Sequence, residues 1–182
     1  MPIYGKKPFV LVSSSITISA DDCGTIYSLV SQSNSPGHYT CSLPTPTASL
    51  AGCTYTFVVG GDDGGLKLPI MLSASGDPIA TSCVGAGCVP TGSFVGQIWG
   101  GAGGPESVYI DPNSAPYGYN LLKFRAEADG LGCFFGDRLD VTCQTFREFD
   151  GSSTDLASFW VVQGWTNTTA SISGTNNPNA PW

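Results

Sequence analysis

Two pairs of adjacent aspartates are the first residues here that could perform chemistry. Asp21 and Asp22 could supply the carboxylates of a glycoside hydrolase, and Asp62 and Asp63, inside GGDDGG, could bind calcium. Glycoside hydrolysis needs two carboxylates across a cleft, whereas adjacent residues of a strand point to opposite faces. Calcium takes six to eight oxygen ligands, and no regular spacing of acids supplies them. Both pairs are therefore interpreted as polar turns.

His38 is the only histidine, so Ser-His-Asp or Cys-His catalysis would have to use it. Neither a GxSxG elbow nor a recognised cysteine-nucleophile motif accompanies it. It follows Gly37 and precedes a predicted strand, which favours a loop or hairpin role. We predict that the protein is not an enzyme and uses no cofactor.

Seven cysteines give an odd count, so at least one thiol is unpaired or bonds another chain. Cys83 and Cys88 bracket VGAG and could close a small disulfide or supply two ligands to zinc. Zinc would need two more thiolates or histidines at short spacing, and the sequence does not offer them, so no metal site is predicted. Cys41, Cys53 and Cys143 lie in strand-like segments and are predicted to be small buried hydrophobes.

Several aromatic residues could form a sugar-stacking platform or serve as core and interface anchors. The anchor role is the commoner one, because aromatic residues are enriched in cores and interfaces. The candidates are Trp99, Tyr109, Tyr117, Tyr119, Trp160 and Trp165.

Charge and hydropathy exclude two classes of partner. The formal net charge is −7, and the seven basic residues are scattered apart from Lys6 and Lys7, so nucleic-acid binding is not expected. No apolar run approaches the length needed to cross a bilayer. The run that follows the two lysines, PFVLV, is shorter than a secretory leader requires, so we expect it to form an arm or a first strand.

Alternation of apolar residues with a period of two predicts strands throughout. Ile16, Ile18 and Ala20 show it, as do Tyr55, Phe57 and Val59. Many short strands without intervening helices indicate an all-β fold, an antiparallel β-sandwich or jelly roll with long Gly/Pro-rich loops. We expect an N-terminal arm or edge strand over 1–14, one domain over 15–170, and an extended tail over 171–182. The predicted strands are one or two within 9–20, then 25–30, 38–43, 53–60, 66–73, 93–99, 106–110, 118–128, 134–144 and 158–165.

Three stretches carry a resemblance to a known group of proteins. They are TISADDCGTIYSLV, YTCSLPTPTASLAGCTYTFVVGG, and the late pair FFGDRLDVTCQ and ASFWVVQGW. Their order resembles a pattern in virion surface β-sandwich domains, which include phage head-decoration, fibre and tail-appendage domains and minor capsid proteins of large DNA viruses. The resemblance covers the first third and the last quarter of the chain.

The resemblance implies a capsid-associated minor or decoration protein on the virion exterior, present in the host cell during assembly. It would stabilise the particle through contacts with the major capsid protein or other virion subunits, and a homo-oligomer such as a trimer is plausible. The expected interface anchors are Tyr4, Phe9, Trp99 and Trp182. The alternative is a glycan- or receptor-binding module at a fibre or capsid surface.

Overall fold

The computed structural model describes residues 7–30, 38–60, 65–74, 94–100, 107–110, 120–126, 132–147, 156–167 and 172–175. Within these residues the chain is built from strands and contains two single-turn 3-10 helices, Ala20–Asp22 and Ala48–Leu50. The predicted all-β fold class is therefore confirmed. The strands are β1 (Phe9–Val12), β2 (Ile16–Thr17), β3 (Ile26–Leu29), β4 (Tyr39–Ser42), β5 (Thr54–Val59), β6 (Ile70–Ser73), β7 (Phe94–Gly100), β8 (Ser107–Ile110), β9 (Leu121–Phe124), β10 (Arg138–Arg147), β11 (Leu156–Thr166) and β12 (Ile172–Thr175).

The strands form two sheets. Sheet 1 has the order β1-β3-β5-β10-β11-β7-β8, and sheet 2 has the order β12-β9-β6-β4-β2. From β1 to β6 the chain alternates between the two sheets. Each strand therefore runs in the same direction as the preceding strand of its own sheet. As a result β1, β3 and β5 are parallel, and so are β2, β4 and β6.

The prediction of a wholly antiparallel arrangement is wrong. β7 and β11 are also parallel. Among the described strands, β10 pairs antiparallel with β5 and β11, β7 with β8, and β9 with β6 and β12. The prediction rested on short strands with a period of two, separated by turns and without intervening helices, and this pattern does not report whether a connection stays within one sheet. In the first half of this protein the connections carry the chain to the other sheet instead.

The parallel strands align their apolar residues in columns that run across sheet 1. Val12, Leu29 and Val59 share one column, and each is at most 1% exposed. In another column the rings of Tyr27 and Phe57 stack with centroids 5.4 Å apart. Full burial of such side chains contributes about 1.5–3 kcal/mol each. Buried residues of both sheets belong to one hydrophobic cluster.

The acidic pair after β2 forms a turn, as predicted. The Ser19 hydroxyl accepts a hydrogen bond from the backbone N–H of Asp21, and the Asp22 carboxylate accepts one from the backbone N–H of Ser19 at 2.9 Å. This reciprocal arrangement caps the 3-10 turn Ala20–Asp22. The Asp22 carboxylate therefore serves the turn that leads into β3.

Cys53 is buried, as predicted, and it also forms a disulfide with Cys23, which the sequence did not indicate. The backbone N–H of Gly24 donates to the carbonyl of Thr54, which brings the two cysteines together with a Cα–Cα distance of 5.4 Å. The sequence could not pair them because their contact depends on the parallel return of β3 beside β5. Cys41 and Cys143 are buried free thiols, as predicted.

The predicted C-terminal tail contains a strand. β12 pairs antiparallel with β9 and forms one edge of sheet 2, and Ile172 is 1% exposed. A single buried isoleucine gives no alternation, so the sequence pattern did not predict this strand. Residues 176–182 of the predicted tail and 1–6 of the predicted arm lie outside the described residues.

The buried thiol of Cys41 makes the folded state sensitive to alkaline pH. Burial raises the pKa of this thiol from 9.0 to about 12. Between these values the unfolded chain has released the proton and the folded chain still holds it, so the free energy of unfolding falls as pH rises. Urea denaturation should therefore show a loss of about 1 kcal/mol from this thiol between pH 9 and pH 10.

The control for this prediction is Cys41→Ala, which should be less stable at pH 7 but should lose less stability between pH 9 and pH 10. Burial also raises the pKa of Cys143. Cys143→Ala is therefore the matched variant, and it should remove part of the pH dependence of stability that Cys41→Ala retains. Burial raises the pKa of Tyr55 to about 12, so this phenol adds a smaller loss between pH 9 and pH 10 and most of its loss above pH 10. An unchanged slope in Cys41→Ala contradicts the prediction.

Candidate binding surface

Two tryptophans stack on the outer face of sheet 1. Trp99 of β7 and Trp165 of β11 are direct register partners, and their ring centroids lie 5.1 Å apart with an interplanar angle of 24°. Trp165 is 64% exposed, whereas tryptophan side chains in folded proteins are on average mostly buried. The pair presents indole surface to solvent.

Polar side chains flank the tryptophan pair on the same face. Arg138 of β10 is the register partner of Trp165 on its other side. Two residues further along β10, β11 and β7, the residues Asp140, Gln163 and Gln97 form a second row of register partners. Residues two apart on a strand share a face, so these side chains form two adjacent rows. We call this set the polar-aromatic face: Arg138, Trp165, Trp99, Asp140, Gln163 and Gln97.

The charged residues of this face are fixed to each other. The Arg138 guanidinium donates to both carboxylate oxygens of Asp140 at 3.0–3.2 Å. The Thr56 hydroxyl donates to the same carboxylate at 2.6 Å. This pair lies at the surface, so its contribution to stability is small, about 0–1 kcal/mol. Its larger effect is to hold hydrogen-bonding groups in a fixed geometry beside the indoles.

Gly96 allows β7 to approach β11 closely enough for the tryptophans to stack. Its φ is +144°, and a Cβ placed there would overlap the backbone carbonyl of Val162, its register partner. Only glycine fits such a contact without moving the strands. The sequence therefore uses a glycine three residues before Trp99 to set the spacing of the pair.

Asp137 anchors the end of β11 that carries Trp165. Its carboxylate accepts hydrogen bonds from the backbone N–H of Phe134 at 2.9 Å and from the backbone and side-chain N–H groups of Asn167 at 2.8 and 2.9 Å. Burial raises the pKa of Asp137, and these three hydrogen bonds oppose the rise. The GD turn thus ties the start of β10 to the end of β11 and holds Trp165 in place.

A second surface feature is the free edge of sheet 1 at β1. Phe9, Val10 and Leu11 are 65%, 41% and 64% exposed, while Val12 is buried. β1 pairs only with β3 among the described strands. Natural proteins usually protect such edges with charges, prolines or a covering segment, because an open edge can pair with another chain. Lys7 and Pro8 stand at its start, but the apolar residues after them stay uncovered.

The structure brings some of the predicted site residues into these two surfaces and leaves others out. Trp99 and Trp165 lie in the polar-aromatic face and Phe9 lies on the β1 edge, whereas Trp160 is fully buried and cannot belong to a sugar-stacking platform. His38 is exposed and precedes β4. The predicted residues outside the described part of the chain are Tyr4, Asp62, Asp63, Cys83, Cys88, Tyr117, Tyr119 and Trp182.

Sequence reasoning did not identify Gln97, Gln163, Arg138 and Asp140 as parts of one surface. A signal for them was present, because the motif Gln-x-Trp occurs twice, as QIW in β7 and as QGW in β11. The period of a strand places the Gln and the Trp of each motif on one face. Recognising that the two motifs lie side by side required the parallel pairing of β7 with β11.

The described residues offer no metal centre and no membrane helix. Among them, no group of three His, Cys, Asp or Glu side chains could hold a metal ion. None of the helices in the same ranges is long and apolar enough to span a membrane. Comparisons with protein-family models, curated proteins and solved structures found no match to this chain.

Proposed function

We propose that this protein is a structural component of a virus particle, a capsid-associated minor or decoration protein that stabilises the particle through contacts with neighbouring subunits. The open β1 edge carries the proposal, since Phe9, Val10 and Leu11 are exposed beside it. Strand addition to such an edge joins subunits through backbone hydrogen bonds and apolar contacts. The sequence resemblance to virion surface domains is the reason for proposing that the neighbouring subunits are those of a virus particle.

The same proposal includes the packing of the two sheets face to face as a β-sandwich. It is supported by the single hydrophobic cluster, which includes Leu29 and Phe57 of sheet 1 together with Ile70 and Phe124 of sheet 2. Two sheets that share one buried core would stand about 10 Å apart. Such a body would leave the outer face of sheet 1 and its β1 edge available to other subunits.

Mass spectrometry of purified particles tests the proposed role. In particles of the virus that encodes the chain, the protein should occur at a fixed ratio to the major capsid protein, and washing with salt should not remove it. Leu11→Lys places a charge on the β1 edge and should reduce incorporation. Absence of the wild-type protein from purified particles would overturn the proposal. Runs with and without reductant would also show whether Cys83 and Cys88 are linked.

The polar-aromatic face favours a second candidate function, glycan binding. Sugars bind proteins by stacking their C–H groups on aromatic rings while their hydroxyls bond to planar amides, carboxylates and guanidinium groups. Trp165 offers exposed indole, and Gln163, Gln97 and the Arg138–Asp140 pair offer those polar groups around it. This function is compatible with a place on a particle surface.

A glycan array probed with the purified protein tests the second function. The array should show a restricted set of bound glycans, and Trp165→Ala should weaken the bound ones by about thirtyfold, the effect of losing a central anchor of about 2 kcal/mol. Phe135→Ala is the matched control, because Phe135 is also an exposed aromatic residue, 67% exposed, in a turn outside the face. Equal binding by Trp165→Ala and wild type would remove this candidate.

A further inference from the structure

The backbone of β1 presents hydrogen-bonding groups to the outside of sheet 1 at two positions. The carbonyls of Pro8 and Val12 accept from the backbone N–H groups of Ile26 and Val30 on the β3 side, at 2.8 and 2.9 Å. Backbone groups of successive residues in a strand point to alternate sides. The N–H and C=O groups of Phe9 and Leu11 therefore point away from β3, toward the open edge.

Pro8 does not block this edge, although proline often does. Its carbonyl points toward β3, so its ring nitrogen also faces that side. The hydrogen-bond donor that proline lacks is therefore missing from the inner side of β1. The outer side keeps the full pattern of donors and acceptors at Phe9 and Leu11.

We infer that the β1 edge binds the β1 edge of a second copy of this chain, antiparallel and about a two-fold axis at Val10. The inference rests on the proposed structural role, because it names the neighbouring subunit at the edge that carries that role. The two copies of sheet 1 become one continuous sheet. In this register Phe9 stands opposite the second copy's Leu11, and the two residues exchange both backbone hydrogen bonds.

Self-complementarity selects this register over its neighbours. Symmetric pairing centred on Phe9 would place Leu11 opposite Lys7, and pairing centred on Leu11 would place Phe9 opposite Ser13. Only the register centred on Val10 sets Phe9 against Leu11 at both ends of the contact. Apolar cross-strand pairs of this kind stabilise a sheet, and here they cover the two most exposed side chains of β1.

Local charge does not oppose a second copy at this edge. Residues 7–18 contain Lys7 and no acidic residue, so two β1 strands can meet without the acidic groups that give each chain its net charge of −7. In the register centred on Val10 each Lys7 stands opposite Ser13. The two lysines are then six residues apart along the strands, about 20 Å, which exceeds the screening length of about 8–10 Å at physiological salt.

The geometry produces a dimer. A contact in which the same patch serves both copies is isologous and closes after two subunits, so by itself it cannot build the trimer that the sequence resemblance makes plausible. A larger assembly would need a separate contact surface.

Sedimentation velocity of the purified full chain tests the pairing. The wild type should sediment as a reversible dimer, and Leu11→Lys should raise the dimer dissociation constant at least tenfold. Phe135→Lys is the matched control, because it also replaces an exposed aromatic or aliphatic residue by lysine and should leave the dimer intact. Circular dichroism and thermal melting confirm that each variant is folded. A monomeric wild type, or equal dimerisation of Leu11→Lys and wild type, overturns the inference.

Cysteine cross-linking tests the register without destabilising the edge. Directly opposite residues that do not exchange hydrogen bonds have Cα atoms about 4.5 Å apart, within the range of a disulfide. Val10→Cys should therefore form a disulfide-linked dimer under mild oxidation, and Phe9→Cys and Leu11→Cys should form it at least tenfold less. Wild-type protein under the same oxidation controls for the other thiols. Preferential linking through position 9 or 11 overturns the proposed register.

The two proposals can fail separately. If Val10→Cys links the dimer but purified particles lack the protein, the proposed function fails and the pairing stands. The opposite outcome is a protein that occurs in particles and is incorporated less as Leu11→Lys, but that is monomeric in solution and forms no disulfide-linked dimer as Val10→Cys. In that case the inference is overturned and another subunit occupies the β1 edge.

Discussion

Trp160→Ala is expected to lower the free energy of unfolding by about 3–5 kcal/mol. The indole is fully buried, and its ring centroid lies 5.6 Å from that of Tyr55. Its strand, β11, lies inside sheet 1 between β10 and β7. Removal of so large a side chain leaves a cavity that two flanking strands cannot close. Urea denaturation monitored by circular dichroism measures the change.

Trp165→Ala is the matched control on the same strand. Trp165 is mostly exposed and stacks on one ring, Trp99, so its loss should cost about 1 kcal/mol or less. A large difference in the free energy of unfolding between the two variants is expected, because one tryptophan lies in the core and the other on the surface. Equal stability losses would contradict the assignment of Trp160 to the core and of Trp165 to the solvent-exposed face of the sheet.

Removal of the Cys23–Cys53 disulfide should destabilise the protein by about 3–4 kcal/mol. The two cysteines are 30 residues apart in sequence, and a cross-link over such a loop restricts the unfolded chain by an amount of this size. The double variant Cys23→Ala, Cys53→Ala is preferred, since it leaves no new free thiol at either position. Urea denaturation measures the loss.

Reductant provides the internal control for this second prediction. Dithiothreitol should lower the stability of the wild type toward that of the double variant and should leave the double variant unchanged. A wild type whose stability is insensitive to complete reduction would show that the cross-link adds nothing to the folded state.

The fold class could be predicted from sequence because the period of two reports which residues share a face. The alternation around Phe57 and Val59 predicted β5, and the acidic pair after β2 predicted a turn. The same alternation does not report which strands are neighbours or how they are oriented. Parallel pairing of β1, β3 and β5 depends on connections that change sheets, and no local residue pattern distinguishes these from hairpins.

The candidate surface could be predicted only in part for the same reason. Trp99 and Trp165 were recognisable as aromatic candidates, but their contact joins two strands far apart in sequence. Gly96, which permits that contact, looked like any strand glycine, because its positive φ and its closeness to Val162 exist only in the folded sheet. The sequence therefore identified the aromatic residues that could bind a ligand, but not which of them lie side by side in the folded sheet.

The alternating path of the first six strands has a consequence during synthesis. β1, β3 and β5 can assemble in the order in which they are made, but the next neighbour of β5 in sheet 1 is β10. β10 begins about 80 residues later, and at roughly 5–20 residues per second a ribosome needs about 4–16 s to reach it. For that interval the nascent chain has an unpaired β5 edge as well as an unpaired β1 edge. A chaperone that covers extended strands would act on this protein in that interval, before β10 arrives.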